Sequence, residues 1–180
     1  EFVTLLLFIN WTIDKSSGTF LPCSIYILTF EDGYHGKTGG IRLISDWRYR
    51  SEPLKKSIKV PYPKCSKCPF SKCKENCNFE CAHYISDLFA SNPNIKVFIF
   101  EPILGAGGIH IAPKEYWKIV SEACKKYGVL MIDDEIFVSG GKIGEFFACD
   151  YYNINPDIIL MSKGISSGYP YFLYRMQGGP

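Results

Sequence analysis

The chain has 180 residues, 47% of them apolar and 21% charged, with a formal net charge of +2. That is enough for one domain with a real core, or for part of a larger one. So balanced a charge gives no reason to expect nucleic acid or a membrane surface as a partner, and 16% aromatics argue for burial rather than disorder.

The apolar run Phe2–Trp11 is about half the length needed to span a bilayer. It follows a glutamate and has no basic n-region, so it reads as a buried strand rather than a signal peptide. A start at Glu1 and a stop at Gly178-Gly179-Pro180 lead us to expect a fragment. Thr12–Leu21 has no clean helical period. Ser24–Phe30 is an apolar, β-branched strand candidate. It runs into the glycine-rich loop Glu31–Gly40, the kind of segment in which side chains meet ligands.

Asp46–Pro63 is polar, aromatic and punctuated by proline. With the cysteine cluster after it, it is expected to form an irregular excursion over about residues 46–81. Ala82–Ser91 then carries Tyr84, Ile85, Leu88 and Phe89 at helical spacing. Ile95–Phe100 is the next strand and must stop at Glu101-Pro102, because proline cannot continue a central ladder. A glycine turn, Gly105–Gly108, follows. Lys114–Tyr127 is a helix with Pro113 at its start and Gly128 at its stop.

Two further apolar runs, Val129–Ile132 and Asp157–Met161, end in Asp133-Asp134-Glu135 and in Ser162-Lys163-Gly164. Between them lie a glycine-rich turn and a short aromatic helical pattern. This order predicts an α/β protein with a mostly parallel sheet and right-handed crossover helices.

Three strands therefore end in titratable residues: Glu101, then Asp133 to Glu135, then Lys163. Each is followed by glycine-rich chain that lets a ligand approach the backbone. Charges at single strand ends are ordinarily just solvated; three converging on one sheet edge point to a site. A lysine there can bind phosphate or, desolvated, attack a carbonyl to form a Schiff base. A neighbouring aspartate suggests pyridoxal 5'-phosphate, which needs both a lysine and a carboxylate on its pyridine nitrogen. Tyr34 is available to stack on the ring.

Four segments strengthen this. Tyr34-His35-Gly36-Lys37-Thr38, Glu101–Gly108, Met131–Ile136 and Ser162–Pro170 resemble, in order and spacing, the motifs of the class III pyridoxal-phosphate aminotransferases. The resemblance covers about Tyr26 to Pro170. It implies the cofactor-binding large domain of the fold shared with aspartate aminotransferase, partial over 1–180, with the C-terminal small domain absent. By that resemblance Lys163 is the Schiff-base lysine and Asp134 the pyridine partner. Tyr34 and Ile136 flank the ring, and His35 lines the site. The implied reaction is transfer of an amino group from an amino acid or ω-amino acid to a 2-oxo acid, in a cytoplasmic homodimer of archaeal type, with neither nucleic acid nor membrane as partner.

The sequence departs from the family at Phe137, where a glutamine is usual, and at Ala106, where many members carry glutamate. The expected phosphate-binding turn and helix have no good counterpart in Trp11–Cys23; Ser17-Gly18-Thr19 is the nearest remnant. A same-family alternative is amino-acid racemisation. Nothing in these residues separates the two.

Five of eight cysteines fall between Cys65 and Cys81. Cys65-x2-Cys68 has the spacing of half a zinc site, whereas the others are spread at helix-like intervals. We expect reduced thiols and no metal. The alternative is a set of Cys65, Cys68, Cys73 and Cys77, and with it a noncatalytic zinc-binding or interaction module as the rival from another class.

Overall fold

The computed structural model describes residues 25–37, 41, 44–45, 57–68, 70, 77–167 and 173–176. Its strands are β1 (Tyr26–Phe30), β2 (Ser57–Val60), β3 (Ile95–Phe100), β4 (Ile103–Leu104), β5 (His110–Ile111), β6 (Leu130–Asp134), β7 (Ile158–Met161) and β8 (Leu173–Met176). The helices are α1 (Glu80–Ser91), α2 (Lys114–Tyr127) and α3 (Ala148–Tyr152). Six strands form one sheet in the order β2-β1-β3-β6-β7-β8. The first five are parallel and β8 is antiparallel to β7. The Gly105–Gly108 turn joins β4 to β5 in a small hairpin.

The expected α/β class with a mostly parallel sheet is what forms. One expectation needs correction. The stretch 46–81 is not irregular throughout, because Ser57–Val60 pairs with β1 as the parallel edge strand β2. Four residues between prolines at positions 53 and 61 give too short a run for the pattern to show, and an edge position tolerates proline beside it. The excursion also ends in the first turn of α1. The expected strand in Phe2–Trp11 and the remnant Ser17-Gly18-Thr19 lie outside the described residues.

Strand alternation divides the core into two faces. Leu28, Phe30, Phe98, Phe100, Met131 and Ile159 point to the face that carries the helices. Val97, Ile99, Ile132, Ile158 and Leu160 point to the other, where they meet Ile41 and Ile44. On the helical face Trp117 is fully buried and packs 4.6 Å from Phe100 and 6.1 Å from Phe30, centroid to centroid. Such aromatic contacts add about 0.5–1.5 kcal/mol each beyond area burial.

The helix that brings Trp117 there is locally well specified. Tyr116, Trp117, Val120, Ala123 and Cys124 form its buried stripe, Glu115 opens it, and Lys125 and Lys126 close it against the dipole. Gly128 ends it in the left-handed conformation at φ +63°. No helix among the described residues is long and apolar enough to cross a membrane.

Candidate active site

The carboxyl ends of β1, β3, β6 and β7 lie side by side, and all the expected site residues come from them. Asp134 ends β6 on the face opposite the helices, continuing the alternation of Leu130 and Ile132. It is 3% exposed, yet it has two partners. Its Oδ2 lies 2.8 Å from Nδ1 of His35, and its Oδ1 accepts the Ile136 N–H at 3.2 Å.

His35 is held from three sides. Its N–H donates to Ser45 Oγ at 2.8 Å, and its Nε2 lies 3.3 Å from Thr29 Oγ1. Thr29 has one hydroxyl proton and donates it to the Ile44 carbonyl. With Nδ1 turned to the Asp134 carboxylate, the ring donates there, and Nε2 faces the Thr29 hydroxyl. Burial works against the charge and is the largest single influence, but the Asp134 hydrogen bond and the charges of Asp134 and Glu101 together outweigh it and raise the His35 pKa above its ordinary value.

Tyr34 precedes His35 and is half-buried. Its N–H donates to Glu101 Oε1 at 2.9 Å, while Glu101 Oε2 accepts from Gly105 N–H at 3.0 Å. Glu101 thereby ties the loop after β1 to the turn after β3. Burial pushes its carboxyl up, opposed by His35 and by these two N–H donors. Ile136 is partly buried on the same face as Asp134.

Lys163 begins a short 3-10 turn after β7 and is exposed. Its φ is +52°, in the left-handed region that a non-glycine residue enters at a cost of order 1–3 kcal/mol, and such residues cluster at functional sites. Its Nζ stands 5.2 Å from the centroid of the Phe137 ring. Phe137 in turn packs over Gly105, where an added Cβ would lie 2.9 Å from the ring and 3.3 Å from Glu101 Oε2. The departure at Phe137 thus has a structural place between Lys163 and the β3 turn.

The structure therefore joins Asp134 and His35 directly and seats Tyr34, Ile136 and Lys163 on the same sheet edge. Sequence reasoning did not single out Thr29 or Ser45. Thr29 reads as an ordinary β-branched strand residue, and Ser45 stands in a stretch with no pattern. Asp133 and Glu135 do not join this group. They face the helices, and Glu135 accepts the N–H groups of Ala148 and Cys149 at 2.8 and 2.9 Å. Asp133, Glu135 and Cys149 bring ligand-type atoms within 4.8 Å of one another, all buried. The helix amides already claim Glu135, so this cluster is a cap for α3.

Pyridoxal phosphate fits these residues on its ring side. A buried carboxylate, fixed by a histidine, is the acceptor a protonated ring nitrogen requires, and a lysine stands at the end of the next strand.

A mostly parallel α/β sheet with acid, histidine and lysine at its strand ends defines a ligand-binding domain of the open α/β kind. Comparison with known proteins sharpens that class. The sequence profile of the family described as "Aminotransferase class-III" matches residues 9–175, and the chain belongs to that family. It is 30% identical over 151 residues to the leucine/methionine racemase of Thermococcus litoralis, covering 80% of this chain and 34% of that protein. It is 35% identical over 152 residues to the adenosylmethionine-8-amino-7-oxononanoate aminotransferase of Geobacter sulfurreducens, covering 79% and 33%. The omega transaminase from Pseudomonas jessenii in complex with PMP superposes with a TM-score of 0.76 at 26% identity, over 95% of this chain and 39% of that one. The chain spans about a third of the length of these curated relatives.

Proposed function

We propose that this chain is the cofactor-binding part of a pyridoxal-phosphate-dependent transaminase that moves an amino group from an amino acid or ω-amino acid to a 2-oxo acid. The observation that carries this reading is the buried Asp134–His35 pair at the end of β6, with Lys163 at the end of the neighbouring β7. The cofactor, when bound, supplies a carbonyl carbon for amino groups and a ring that withdraws electrons from them.

The chain's own residues do the rest. Asp134 would hold negative charge against the cofactor's ring nitrogen, and His35 keeps that carboxylate oriented through Oδ2. Tyr34 and Ile136 would flank the ring and exclude water. Lys163 would hold the cofactor through its amine, and once freed by the substrate that amine would take up and return the substrate proton. The finer parts of the proposal are an archaeal-type member working as a cytoplasmic homodimer whose neighbouring subunit completes the phosphate site. The family resemblance and the cysteine-bearing excursion support them.

Borohydride reduction after loading with pyridoxal phosphate, read by peptide mass spectrometry, tests this directly. The expected label is on Lys163 and is lost in Lys163→Ala. Labelling spread over surface lysines, equal in both proteins, would overturn the assignment. The similarity to a leucine/methionine racemase favours one second reading, amino-acid racemisation with the same residues. A complete protein that inverts a single enantiomer without any 2-oxo acid would decide for it.

A further inference from the structure

We infer that Cys65, Cys68, Cys77 and Cys81 form a four-thiolate site for a tetrahedral zinc ion, built between the segment after β2 and the start of α1. All four line one pocket, together with Pro63, Lys64, Phe79, Pro113 and Tyr116. None of the four is in a disulfide. The pairs arrive from opposite sides. Cys65 begins a single 3-10 turn, Cys65–Lys67, and Cys68 closes it, and both residues line the pocket. Cys81 lies in the first turn of α1. Phe79 just before it is left-handed at φ +55°, which reverses the chain and returns Cys77 towards the helix.

The resulting ligand pattern is Cys-x2-Cys-x8-Cys-x3-Cys. It differs from the expected alternative set, because Cys81 takes the place given to Cys73, which lies outside the described residues. Thiolate-rich tetrahedral sites of this kind select zinc among the common divalent ions.

A second observation lies beside the same pocket. Tyr116, which lines it, is fully buried, and its hydroxyl has no hydrogen-bond partner. An orphaned buried hydroxyl costs about 1–3 kcal/mol. A neutral thiol is a weak acceptor, whereas a metal-bound thiolate is a good one, and such outer hydrogen bonds commonly support metal ligands. The start of α1 has no side-chain cap, so its dipole favours negative sulfur beside it.

Zinc would draw the sulfurs inward. Among the described residues no three of them lie within 4.8 Å of one another, while a Zn–S distance of about 2.3 Å places tetrahedral sulfurs roughly 3.8 Å apart. The exposed Cys65 turn is free of core packing and can make that movement.

The position gives the ion a consequence for the catalytic edge. Lys64, beside Cys65, binds Asp32 Oδ2 through Nζ at 2.7 Å, in the loop that carries Tyr34 and His35. Tyr62 donates to the Pro102 carbonyl at 2.9 Å, next to Glu101. A metal clamp on this segment fixes both contacts.

Zinc content of the full 180-residue chain, purified under reducing conditions without added cofactor, is the test. About one zinc per chain is expected. Cobalt substitution should give thiolate charge-transfer absorption of four-sulfur strength, and a chelator should release four additional reactive thiols. Cys65→Ser, Cys68→Ser, Cys77→Ser and Cys81→Ser should each abolish stoichiometric zinc, while Cys73→Ser should leave it unchanged. Absence of bound zinc after reconstitution, loss of zinc in Cys73→Ser, or bound iron with inorganic sulfide would each overturn the inference. Cobalt spectra and thiol counts on the unsubstituted chain decide the matter even if a variant fails to fold. None of these readings depends on Lys163 labelling, so the two proposals fail separately.

Discussion

Asp133 and Asp134 are neighbours of one residue type on one strand, both under 4% exposed, and their environments are opposite. Asp134 faces away from the helices and meets a histidine ring nitrogen and a backbone N–H. Asp133 faces the helices, beside Glu135, and neither of its oxygens makes a hydrogen bond of ordinary geometry. Burial, then the charge of Glu135, pushes Asp133 well above the usual carboxylate range. Glu135 is pushed up by burial as well but is pulled back by the two amides of α3. The balance of these influences favours the neutral form at Asp133 over Glu135. A one-residue step along a strand, which swaps faces, separates the acid proposed to serve a ligand from one that serves the core.

Asp134→Asn should break the comparison most visibly. The amide keeps the shape but removes the charge that a protonated ring nitrogen needs. A charge-assisted hydrogen bond in a buried site is worth about 1.5–3 kcal/mol, so pyridoxal phosphate should bind roughly 10- to 100-fold more weakly in an absorbance titration. Unchanged affinity would mean that Asp134 does not face the ring.

His35→Asn comes next. It removes the ring that fixes Asp134 Oδ2 and contacts Thr29, and cofactor affinity should fall by less than in Asp134→Asn. The pH dependence has a defined sign. The folded pKa of His35 is raised, so its contribution to stability is fully present below its ordinary value of about 6.5 and is lost as pH rises through the folded value. Denaturant midpoints measured across that range should fall in the parent chain and stay flatter in His35→Asn.

Gly105→Ala probes the junction between the β3 turn and Phe137. The new methyl would stand 2.9 Å from the ring, and overpacking of this kind costs about 1–3 kcal/mol. A lowered Tm, largely restored by adding Phe137→Leu, is the expected result. Additive effects of the two substitutions would show that they do not share this contact.

The elements with long or clean patterns were legible in the sequence. Lys114–Tyr127 and Ile95–Phe100 form with the expected bounds, because a buried stripe plus a proline and a glycine punctuate the first and an apolar run bounded by proline defines the second. Strand β2 was hidden because four residues at a sheet edge carry too little periodicity. Of the site, the strand-end residues could be read because alternation and the motif order place them. Thr29 and Ser45 could not, since their roles come from tertiary contacts with His35 and Ile44 that leave no local trace. The distinction between Asp133 and Asp134 was legible only through the family motif, and the structure supplies its cause in the two faces of β6.

Asp133→Asn should have the smallest effect, and it tests the comparison from the other side. An acid whose carboxyl burial pushes well above the usual range loses little when replaced by a neutral isostere, so cofactor affinity should stay within about twofold and stability near pH 7 should hold or rise. The pH profile discriminates further. With its folded pKa raised, Asp133 stabilises the fold fully below its unfolded value of about 3.9, and that contribution is lost as pH rises towards the folded value, because the unfolded chain has released the proton that the folded chain keeps. Unfolding free energies followed upward from about pH 4 should decline less steeply in Asp133→Asn than in the parent. An identical slope in the two proteins would mean that Asp133 is ionised in the fold, and that the proton sits on Glu135 in spite of its two amide donors.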